Sequence, residues 1–287
     1  MARFGKLLRF KNTSGQVFYG EAKDLPQITK DALIGAEVPV FSAGQEPWSD
    51  DFKLSGSTEK IAEVLAPLPK VPIFLCIGLN YKKHAEEGGM KVGEYPQTFY
   101  KPADALAGPF EDIPIHPACQ WMDYEVELCV VIGKDCKNVS EDEDVTQYIL
   151  GYTVGNDVSA RWWQMPERSN NQPSMAKSFD KFAPIGPVIT SPDIIADPKQ
   201  LRMRSIVNGD QRQITQTDDL IFDIPAIIRH FSRAMTIRKG TVIMTGTPSG
   251  VAAFMKPPAW LQDGDVVEME LEHVGTMRNK MVFEKSE

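Results

Sequence analysis

The sequence predicts an α+β fold that is mostly β, with few helices. After residue 70 the apolar segments are short, and Gly and Pro separate them (21 of each in 287 residues). Short apolar runs bounded by such residues favour strands over helices. Only the segment 223–235 carries a long helical stripe of apolar residues. The length of the chain suits one large domain, or a main domain with a small appendage.

Composition limits the possible functions. Hydrophobic residues make up 42% of the chain and charged residues 24%. These are ordinary values for a globular protein, and they exclude disorder or coiled coil as the main state. The 31 basic and 39 acidic side chains leave a net charge of −8 at pH 7. Because a nucleic-acid groove needs a basic field, we expect no nucleic-acid partner.

The sequence also predicts an intracellular protein without a membrane span. A membrane helix needs about 18 consecutive apolar residues, whereas the longest apolar run is Leu128–Ile132. The N-terminal sequence MARFGKLLRFKN is basic but lacks the apolar core of a secretory signal. The cysteines show no C-x-x-C spacing, which favours free thiols over disulfides. We expect a cytoplasmic location, with the mitochondrion as the alternative.

Residues 1–70 are predicted to form a small N-terminal α+β domain with a linker. Apolar runs such as Leu7–Phe10 are broken by Gly and Pro, which indicates strands and turns. Ser57 or Thr58 can cap a helix with three apolar residues on one face, namely Ile61, Val64 and Leu65. The Pro-rich stretch APLPKVP that follows cannot continue a helix. The boundary to the larger domain, residues 71–287, is therefore placed there.

The larger domain is predicted to consist mainly of strands. Asn208-Gly209 separates two apolar segments and is a strong signal for a two-residue β-hairpin turn. Residues 265–272 alternate between apolar side chains and Glu, so one face of that strand is expected to be buried. The strand candidates are 73–77, 113–116, 124–132, 150–156, 184–190, 201–207, 211–215, 241–245 and 266–272.

One long helix is predicted in this domain. Asp223 can cap its N-terminus, because its side-chain oxygen accepts from a backbone N–H of the first turn. Pro225 is tolerated in that turn, where its missing N–H is not needed. The apolar residues that recur with the helical period and form the buried stripe are Ile227, Ile228, Phe231 and Met235.

Three carboxylates stand at the ends of apolar strand candidates. Glu125 and Glu127 share one face of a strand, with Cα atoms roughly 6.5–7 Å apart. Asp157 ends another apolar segment, GYTVGND. Carboxylates in such places are unfavourable unless a cation or hydrogen-bond donors neutralise them. Three oxygen ligands without a nearby His or Cys indicate a hard cation, Mg²⁺, Mn²⁺ or Ca²⁺. The alternative is an acidic edge that faces solvent.

A histidine and a glutamate follow the first strand of the larger domain. On a helical turn, His84 and Glu87 are i, i+3 neighbours. A carboxylate that orients an imidazole makes it a competent base near neutral pH. The alternative is an ordinary surface pair. The glycine-rich stretch 87–94 suits a mobile lid, and it equally suits an ordinary surface loop.

Several polar groups could bind an anion near such a metal. Arg161 and Gln164 stand at i, i+3, and Lys101 and Lys177 lie in otherwise apolar segments. Cations beside a bound metal suit an anionic, oxygen-rich substrate, although each one could also be a solvated charge. The turn TGTPSG at 245–250 offers backbone N–H groups for an anion. It matches neither a P-loop nor a G-x-S-x-G elbow, so NTPase and serine-hydrolase functions are discounted.

Taken together, these segments resemble the fumarylacetoacetate hydrolase superfamily over roughly residues 71–284. The order and spacing of the motifs make the combination specific, although each motif is modest. The family resemblance implies a mixed β-sandwich roll, barrel-like and with few helices, and a homodimer. The matching motifs are CIGLNYKKHAEE, TFYKPADALAGP, DYEVELCVVIGK, GYTVGNDVSARWWQ, AKSFDKFAPIGP, VNGDQRQ, TGTPSGV and DGDVVEMELEHVGTMRN.

The resemblance also implies roles for individual residues. It implies that Glu125, Glu127 and Asp157 hold Mg²⁺, with Mn²⁺ or Ca²⁺ as alternatives. It implies that His84 and Glu87 form an acid/base dyad, and that Lys177 is a catalytic cation. The substrate-binding residues that it implies are Lys101, Arg161, Gln164, Gly246 and Thr247.

The implied chemistry concerns 2-oxo and 2,4-dioxo carboxylic acids. A metal ion that binds the oxo acid acts as a Lewis acid and stabilises an enolate. We expect C–C bond hydrolysis of an acylpyruvate-type substrate first. The alternatives are oxaloacetate keto–enol tautomerisation, isomerisation or decarboxylation on the same scaffold, and the segment GVAAFMKPPAWLQDGD resembles oxaloacetate tautomerases. A catalytically silent metal-binding protein is an alternative of another class, against which the intact His84, Glu87 and Lys177 argue.

Overall fold

Strands dominate the computed structural model, which describes residues 3–285. The prediction of a mostly β, α+β fold with few helices is confirmed. The strands are β1 Lys6–Asn12, β2 Val17–Glu21, β3 Glu37–Phe41, β4 Leu54–Val64, β5 Phe74–Gly78, β6 Gln97–Lys101, β7 Leu106–Ala107, β8 Ile113–Ile115, β9 Met122–Asp123, β10 Val126–Ile132, β11 Ile149–Asn156, β12 Ser159–Ala160, β13 Ala183–Thr190, β14 Arg202–Val207, β15 Asp210–Gln216, β16 Val242–Met244, β17 Val266–Leu271 and β18 Gly275–Phe283.

The helices are few and short. No helix within residues 3–285 is long and apolar enough to cross a membrane. The α-helices are α1 Lys30–Leu33, α2 Lys82–Glu87, α3 Pro166–Ser169, α4 Ser174–Lys177 and α5 Ile224–Ser232. The 3₁₀ helices are Ala103–Ala105, Val145–Tyr148, Arg161–Gln164, Pro198–Gln200, Thr217–Asp219 and Ala252–Phe254. The cysteines are free and buried, at Cys76, Cys119, Cys129 and Cys136.

The larger of the sheets contains eleven strands, in the order β2-β3-β4-β1-β13-β11-β10-β16-β5-β6, with β7 added beside β13. Its central strands β10 and β13 are buried along their whole length, as continuous apolar sequences in the middle of a covered sheet require. The β1–β13 ladder, with Leu8 opposite Val188, joins the N-terminal strands to this sheet. The division at residue 70 therefore runs through a continuous sheet.

A second sheet, in the order β15-β14-β17-β18-β8, packs against β10, β11 and β13. Val267, Met269 and Leu271 of β17 face the core, as their alternation with Glu predicts. The β14–β15 hairpin turns at Asn208-Gly209, and both residues have positive φ (52° and 88°). A tight two-residue turn of this kind needs that backbone geometry, so the predicted hairpin is confirmed.

Helix α5 also matches its prediction. Asp223 accepts a hydrogen bond from the Ala226 amide at 3.0 Å and caps the helix. The residues Ile227, Ile228 and Phe231 of the predicted stripe are buried. The helix ends at Ser232, so Met235, the last residue of the stripe, lies beyond it, although it still packs against the core.

The helix predicted from Ser57 is wrong, because these residues belong to strand β4. Ile61 and Val64 are buried at a spacing of three residues, which in the sequence imitates a helical face. Lys11 of β1 pairs with Glu63 of β4, but the next residue, Asn12, pairs with Ile61. The register of the two strands therefore shifts by one residue between Lys11 and Asn12. This β-bulge inserts one extra residue and brings two side chains three apart onto the same face.

Candidate active site

The antiparallel pairing of β10 and β11 brings the three predicted metal-binding carboxylates together. Glu125 immediately precedes β10 and Glu127 is its second residue. Asp157 follows the end of β11, and its amide donates to Glu125 O at 3.0 Å. One oxygen from each carboxylate lies within 4.8 Å of the others, and all three residues are buried. The alternative of a solvent-facing acidic edge is therefore excluded by their position.

Cations surround two of these carboxylates. Lys177 Nζ lies 2.9 Å from Glu125 Oε2 and 2.6 Å from Asp157 Oδ2, and Arg161 contacts Glu125 Oε1. Burial alone would raise the pKa of Glu125, but Arg161 and Lys177 lower it to about 2. Burial would likewise lower the pKa of Lys177, and Asp157 and Glu125 instead raise it. Glu125 is thus an anion and Lys177 a cation at neutral pH.

Glu127 is in a different electrostatic position. Burial, together with the negative charges of Asp157 and Glu125, holds its pKa well above the usual range. Its Oε2 accepts a hydrogen bond from the Gly246 amide at 2.7 Å. A bound divalent cation would offset this repulsion, and an all-carboxylate donor set suits Mg²⁺, Mn²⁺ or Ca²⁺. The residues present therefore fit a hard divalent cation.

The predicted His–Glu pair forms on helix α2. His84 Nδ1 lies 3.3 Å from Glu87 Oε2, and the Glu87 carboxylate also accepts from the Gly250 amide at 3.2 and 3.3 Å. Burial lowers the pKa of His84, although the charges of Glu125 and Glu87 oppose that effect. The imidazole is consequently neutral at pH 7 and can accept a proton.

A cavity of about 340 Å³ lies between this pair and the carboxylate cluster. His84 and the cluster residue Glu125 both line it, so the base and the candidate metal site face one volume. The other predicted site residues that line it are Arg161, Gln164, Lys177 and Thr247. The rest of its wall is formed by Ile77, Gly78, Leu79, Met90, Gln97, Phe99, Asn171, Pro173 and Phe254.

Two predicted substrate-binding residues lie outside that lining. Lys101 is fully buried. Its Nζ donates to Val158 O at 3.1 Å and Phe182 O at 2.6 Å, and lies 2.6 Å from Asp157 Oδ1. The Gly246 amide is taken by Glu127. Lys101 and Gly246 thus hold carboxylates of the cluster, and the structure does not present them to a substrate.

Sequence reasoning missed two residues that shape the site, Asn80 and Gln213. Asn80 lies in the motif CIGLNYKKHAEE and Gln213 in VNGDQRQ, where each stands among apolar or turn residues. The Asn80 amide donates to Thr245 O at 2.7 Å and to Phe222 O at 3.0 Å, which joins the loop before α2 to the 245–250 turn. Gly246 there has φ 104°, and a Cβ would lie 2.8 Å from Asn80 Cβ, so a side chain is excluded.

Gln213 reaches from β15 of the second sheet to the site. Its Oε1 accepts from the Val126 amide at 3.0 Å and from Ser205 Oγ at 2.9 Å. Its Nε2 donates to Thr247 Oγ1 at 2.8 Å and to Pro248 O at 2.9 Å. One buried side chain therefore connects strand β10 to the turn that carries Thr247.

Replacing Gln213 by Leu should lower the free energy of unfolding by about 3 kcal/mol. The substitution leaves the buried Val126 amide and Pro248 carbonyl without partners, and each such group costs about 1–3 kcal/mol. Urea unfolding measures the change. Gln211→Leu, an exposed glutamine on the same strand, should change stability by no more than about 0.5 kcal/mol. Similar changes in both variants would contradict the structural role of Gln213.

The fold and the site together define an enzyme of the fumarylacetoacetate hydrolase type. The family model "Fumarylacetoacetate (FAA) hydrolase C-terminal" matches residues 73–282, and the chain belongs to this family. The resemblance stated from the sequence motifs is thereby confirmed. Membership of the family is also consistent with a divalent-metal site at the three carboxylates.

Several similar proteins carry the name oxaloacetate tautomerase. The chain is 42% identical over 219 residues to "Oxaloacetate tautomerase fahd2, mitochondrial" of Xenopus laevis, covering 76% of this chain and 68% of that protein. It is 40% identical over 218 residues to "Oxaloacetate tautomerase FAHD2A, mitochondrial" of Homo sapiens, covering 76% of this chain and 69% of that protein.

Solved structures of bacterial isomerases share the fold over nearly the whole chain. The 2-hydroxyhepta-2,4-diene-1,7-dioate isomerase from Mycobacterium marinum matches with a TM-score of 0.81 and 31% identity, covering 98% of this chain and 100% of that chain. The 5-carboxymethyl-2-hydroxymuconate delta-isomerase from Mycobacterium smegmatis matches with a TM-score of 0.80 and 32% identity, covering 97% and 100%.

Proposed function

We propose that this protein is a divalent-metal-dependent oxaloacetate keto–enol tautomerase. The observation that carries the proposal is the single cavity in which the neutral base His84 faces the carboxylate cluster. Tautomerisation needs only the transfer of one proton between the enol oxygen and C3, which a single base can perform. The names of the relatives favour tautomerisation over C–C hydrolysis, the reaction expected first from the sequence.

The carboxylates Glu125, Glu127 and Asp157 would hold the metal ion, with Mg²⁺ as the first choice and Mn²⁺ or Ca²⁺ as alternatives. Bound there, the metal supplies Lewis-acid stabilisation of negative charge on the 2-oxo oxygen.

The other residues of the cavity act on the substrate itself. In the enol-to-keto direction, His84 takes the proton of the enol hydroxyl and delivers it to C3 of the oxo acid, while Glu87 orients the ring and stabilises the imidazolium. Lys177 and Arg161 supply positive charge for a small dicarboxylate, and Gln164 and Thr247 offer polar groups in the same wall.

A substrate assay with added Mg²⁺ tests the proposal. The decay of the enol absorbance of oxaloacetate should be accelerated, and acylpyruvates and fumarylpyruvate should remain uncleaved. Cleavage of an acylpyruvate without tautomerase activity would move the assignment to hydrolysis, for which His84 and Glu87 would activate a water molecule. Release of CO₂ would indicate decarboxylation. No reaction with any of these compounds would favour the catalytically silent metal-binding protein.

We further expect the segment 84–97 to become ordered when a ligand binds. Met90 and Gln97 line the cavity, and Gly88, Gly89 and Gly93 lower the barrier to rearrangement. Hydrogen exchange in this segment should slow when oxalate and Mg²⁺ are added together. Equal exchange with and without demonstrably bound oxalate would show that the segment is an ordinary surface loop.

We propose that the protein forms a homodimer, which light scattering coupled to size exclusion would measure directly. We also propose a mitochondrial location, on the basis of the names of the relatives. Imaging of the tagged protein tests this proposal, and a purely cytosolic signal would contradict it.

A further inference from the structure

Asp123 is a buried carboxylate that no part of the mechanism above uses. It lies at the end of β9 with its side chain fully buried. Its Oδ1 accepts from the amides of Tyr124 at 2.9 Å and Ala252 at 2.8 Å. Its Oδ2 accepts from Arg161 Nε at 2.8 Å and the Ala253 amide at 3.2 Å. A buried anion is stable only when it is paired and hydrogen-bonded in this way.

These bonds connect two walls of the cavity. On one side, Asp123 holds the Nε edge of Arg161, while Gln164 Oε1 accepts from Arg161 Nη1 at 3.0 Å. The guanidinium is therefore fixed on two edges, and its Nη2 is the group directed at Glu125. A planar guanidinium recognises a carboxylate well only when its plane is oriented.

On the other side, Asp123 holds the first residues of the 3₁₀ helix Ala252–Phe254. Phe254 ends this helix and lines the cavity, with its ring centroid 5.4 Å from that of His84. Ala252 and Ala253 do not line the cavity themselves. Asp123 is thus the common partner of Arg161 and of the segment whose Phe254 side chain lies beside His84.

We propose that Asp123 is a positioning residue that sets the affinity of the site for anionic substrates by orienting Arg161 and by tying it to the 252–254 segment. That the ligand is an anionic oxo acid rests on the proposed function. The link between Arg161 and the 252–254 segment rests only on the hydrogen bonds of Asp123. A purely electrostatic role would have the opposite consequence. Removing a negative charge beside the cavity would strengthen the binding of an anion.

The test is the variant Asp123→Asn, which keeps the size of the side chain. Its NH₂ group would replace one carboxylate oxygen, so either the bonds from Arg161 Nε and Ala253 or those from Tyr124 and Ala252 are lost. The remaining bonds lose the carboxylate charge that strengthens them. We expect the Kd of oxalate in the presence of Mg²⁺ to rise about 10- to 100-fold, since hydrogen bonds to charged groups have about that weight. With substrate, KM should rise similarly while kcat stays within about threefold, because His84 and Glu87 are unchanged.

The matched control is Asp135→Asn. Asp135 bonds an arginine and a backbone amide in the same way, through Arg238 at 2.7 Å and Lys239 at 2.8 Å, but it is exposed and lies outside the cavity lining. Its oxalate affinity should equal that of the unmodified protein. An unchanged or tighter oxalate Kd in Asp123→Asn would overturn the proposal.

A double-mutant cycle with Arg161→Lys separates positioning from general loosening of the fold. If Asp123 acts through Arg161, the two effects on oxalate affinity should be strongly non-additive. Additive effects would instead show that Asp123 acts independently of Arg161, and would overturn the proposal.

Hydrogen exchange of the unmodified protein tests the link through Asp123 even if the variants do not fold. Binding of oxalate with Mg²⁺ should slow exchange of the Ala252 and Ala253 amides. The Ala226 amide, which is bonded to Asp223 outside the cavity lining, serves as the reference and should not change. Unchanged exchange at Ala252 would contradict the connection. Because oxalate binding requires no turnover, failure of the tautomerase assay leaves this result interpretable.

Discussion

Replacing Glu127 by Gln should abolish both divalent-ion binding and metal-dependent activity. Substitutions of groups that merely support metal ligands typically weaken metal binding about 10- to 100-fold, so the loss of a direct carboxylate ligand should exceed about 100-fold. Calorimetric titration with Mg²⁺ or Mn²⁺ measures the affinity, and the enol assay measures the activity. Glu268→Gln, a partly exposed glutamate on β17, should leave both unchanged.

Without metal, the thermal unfolding temperature of Glu127→Gln should be no lower than that of the unmodified protein. The reason is that the negative charges of Asp157 and Glu125 repel the Glu127 carboxylate. Its pKa is raised in the folded protein, so the unfolded chain loses this proton first as the pH rises. The folded state is therefore penalised above the ordinary glutamate pKa, and the penalty is complete above the raised pKa. In EDTA at neutral pH, Glu127→Gln should consequently be at least as stable as the unmodified protein.

Metal ions should reverse that order of stability. At a Mg²⁺ concentration 100 times the Kd, binding should stabilise the unmodified protein by about 2.7 kcal/mol. The variant should gain nothing, because it no longer binds the ion. Full activity of the unmodified protein in EDTA, or Mg²⁺ stabilisation of Glu127→Gln, would contradict a metal site at this cluster.

Replacing His84 by Ala should lower tautomerase activity about 10²–10⁴-fold, the usual contribution of a general base. From the sequence alone, Lys177 could have carried the proton of a tautomerase instead. In the structure, Lys177 is a cation held between Glu125 and Asp157, so it is not free to accept a proton. Among the titratable residues of the described cavity lining, His84 is then the only neutral base.

Companion variants define the role of the pair. Glu87→Gln should be milder than His84→Ala, since the amide can still orient the ring while the charge is lost. Glu86→Gln, an exposed neighbour on the same helix, should have no effect. Mg²⁺ affinity should be unchanged in all three variants, because none of these residues belongs to the carboxylate cluster. Full tautomerase activity in His84→Ala would remove His84 from the mechanism.

The sequence was most informative where a local pattern matched the burial of a single element. The alternation in β17, the turn at Asn208-Gly209 and the cap at Asp223 each involve neighbours in the chain, and the structure reproduces all three. Strand β6, by contrast, was missed, because QTFYK is short and partly polar. It is a strand only because it pairs with β5.

The error at residues 57–65 has the same origin. A three-residue spacing of apolar side chains is ambiguous between a helix and a bulged strand. The partner strands resolve it, since β4 lies between β3 and β1 in the sheet. The amino-acid pattern of residues 57–65 alone does not indicate that β4 pairs with β3 and β1.

For the site, the sequence by itself determined the chemical types: three carboxylates at the polar ends of apolar strands, and a His–Glu pair at helical spacing. Only the tertiary structure decided which hydrogen-bond donors pair with which carboxylates. Lys101 and the Gly246 amide, which looked like substrate contacts, hold Asp157 and Glu127 instead. The physical reason is that a donor binds the nearest buried acceptor in space, and that acceptor comes from a strand remote in the chain.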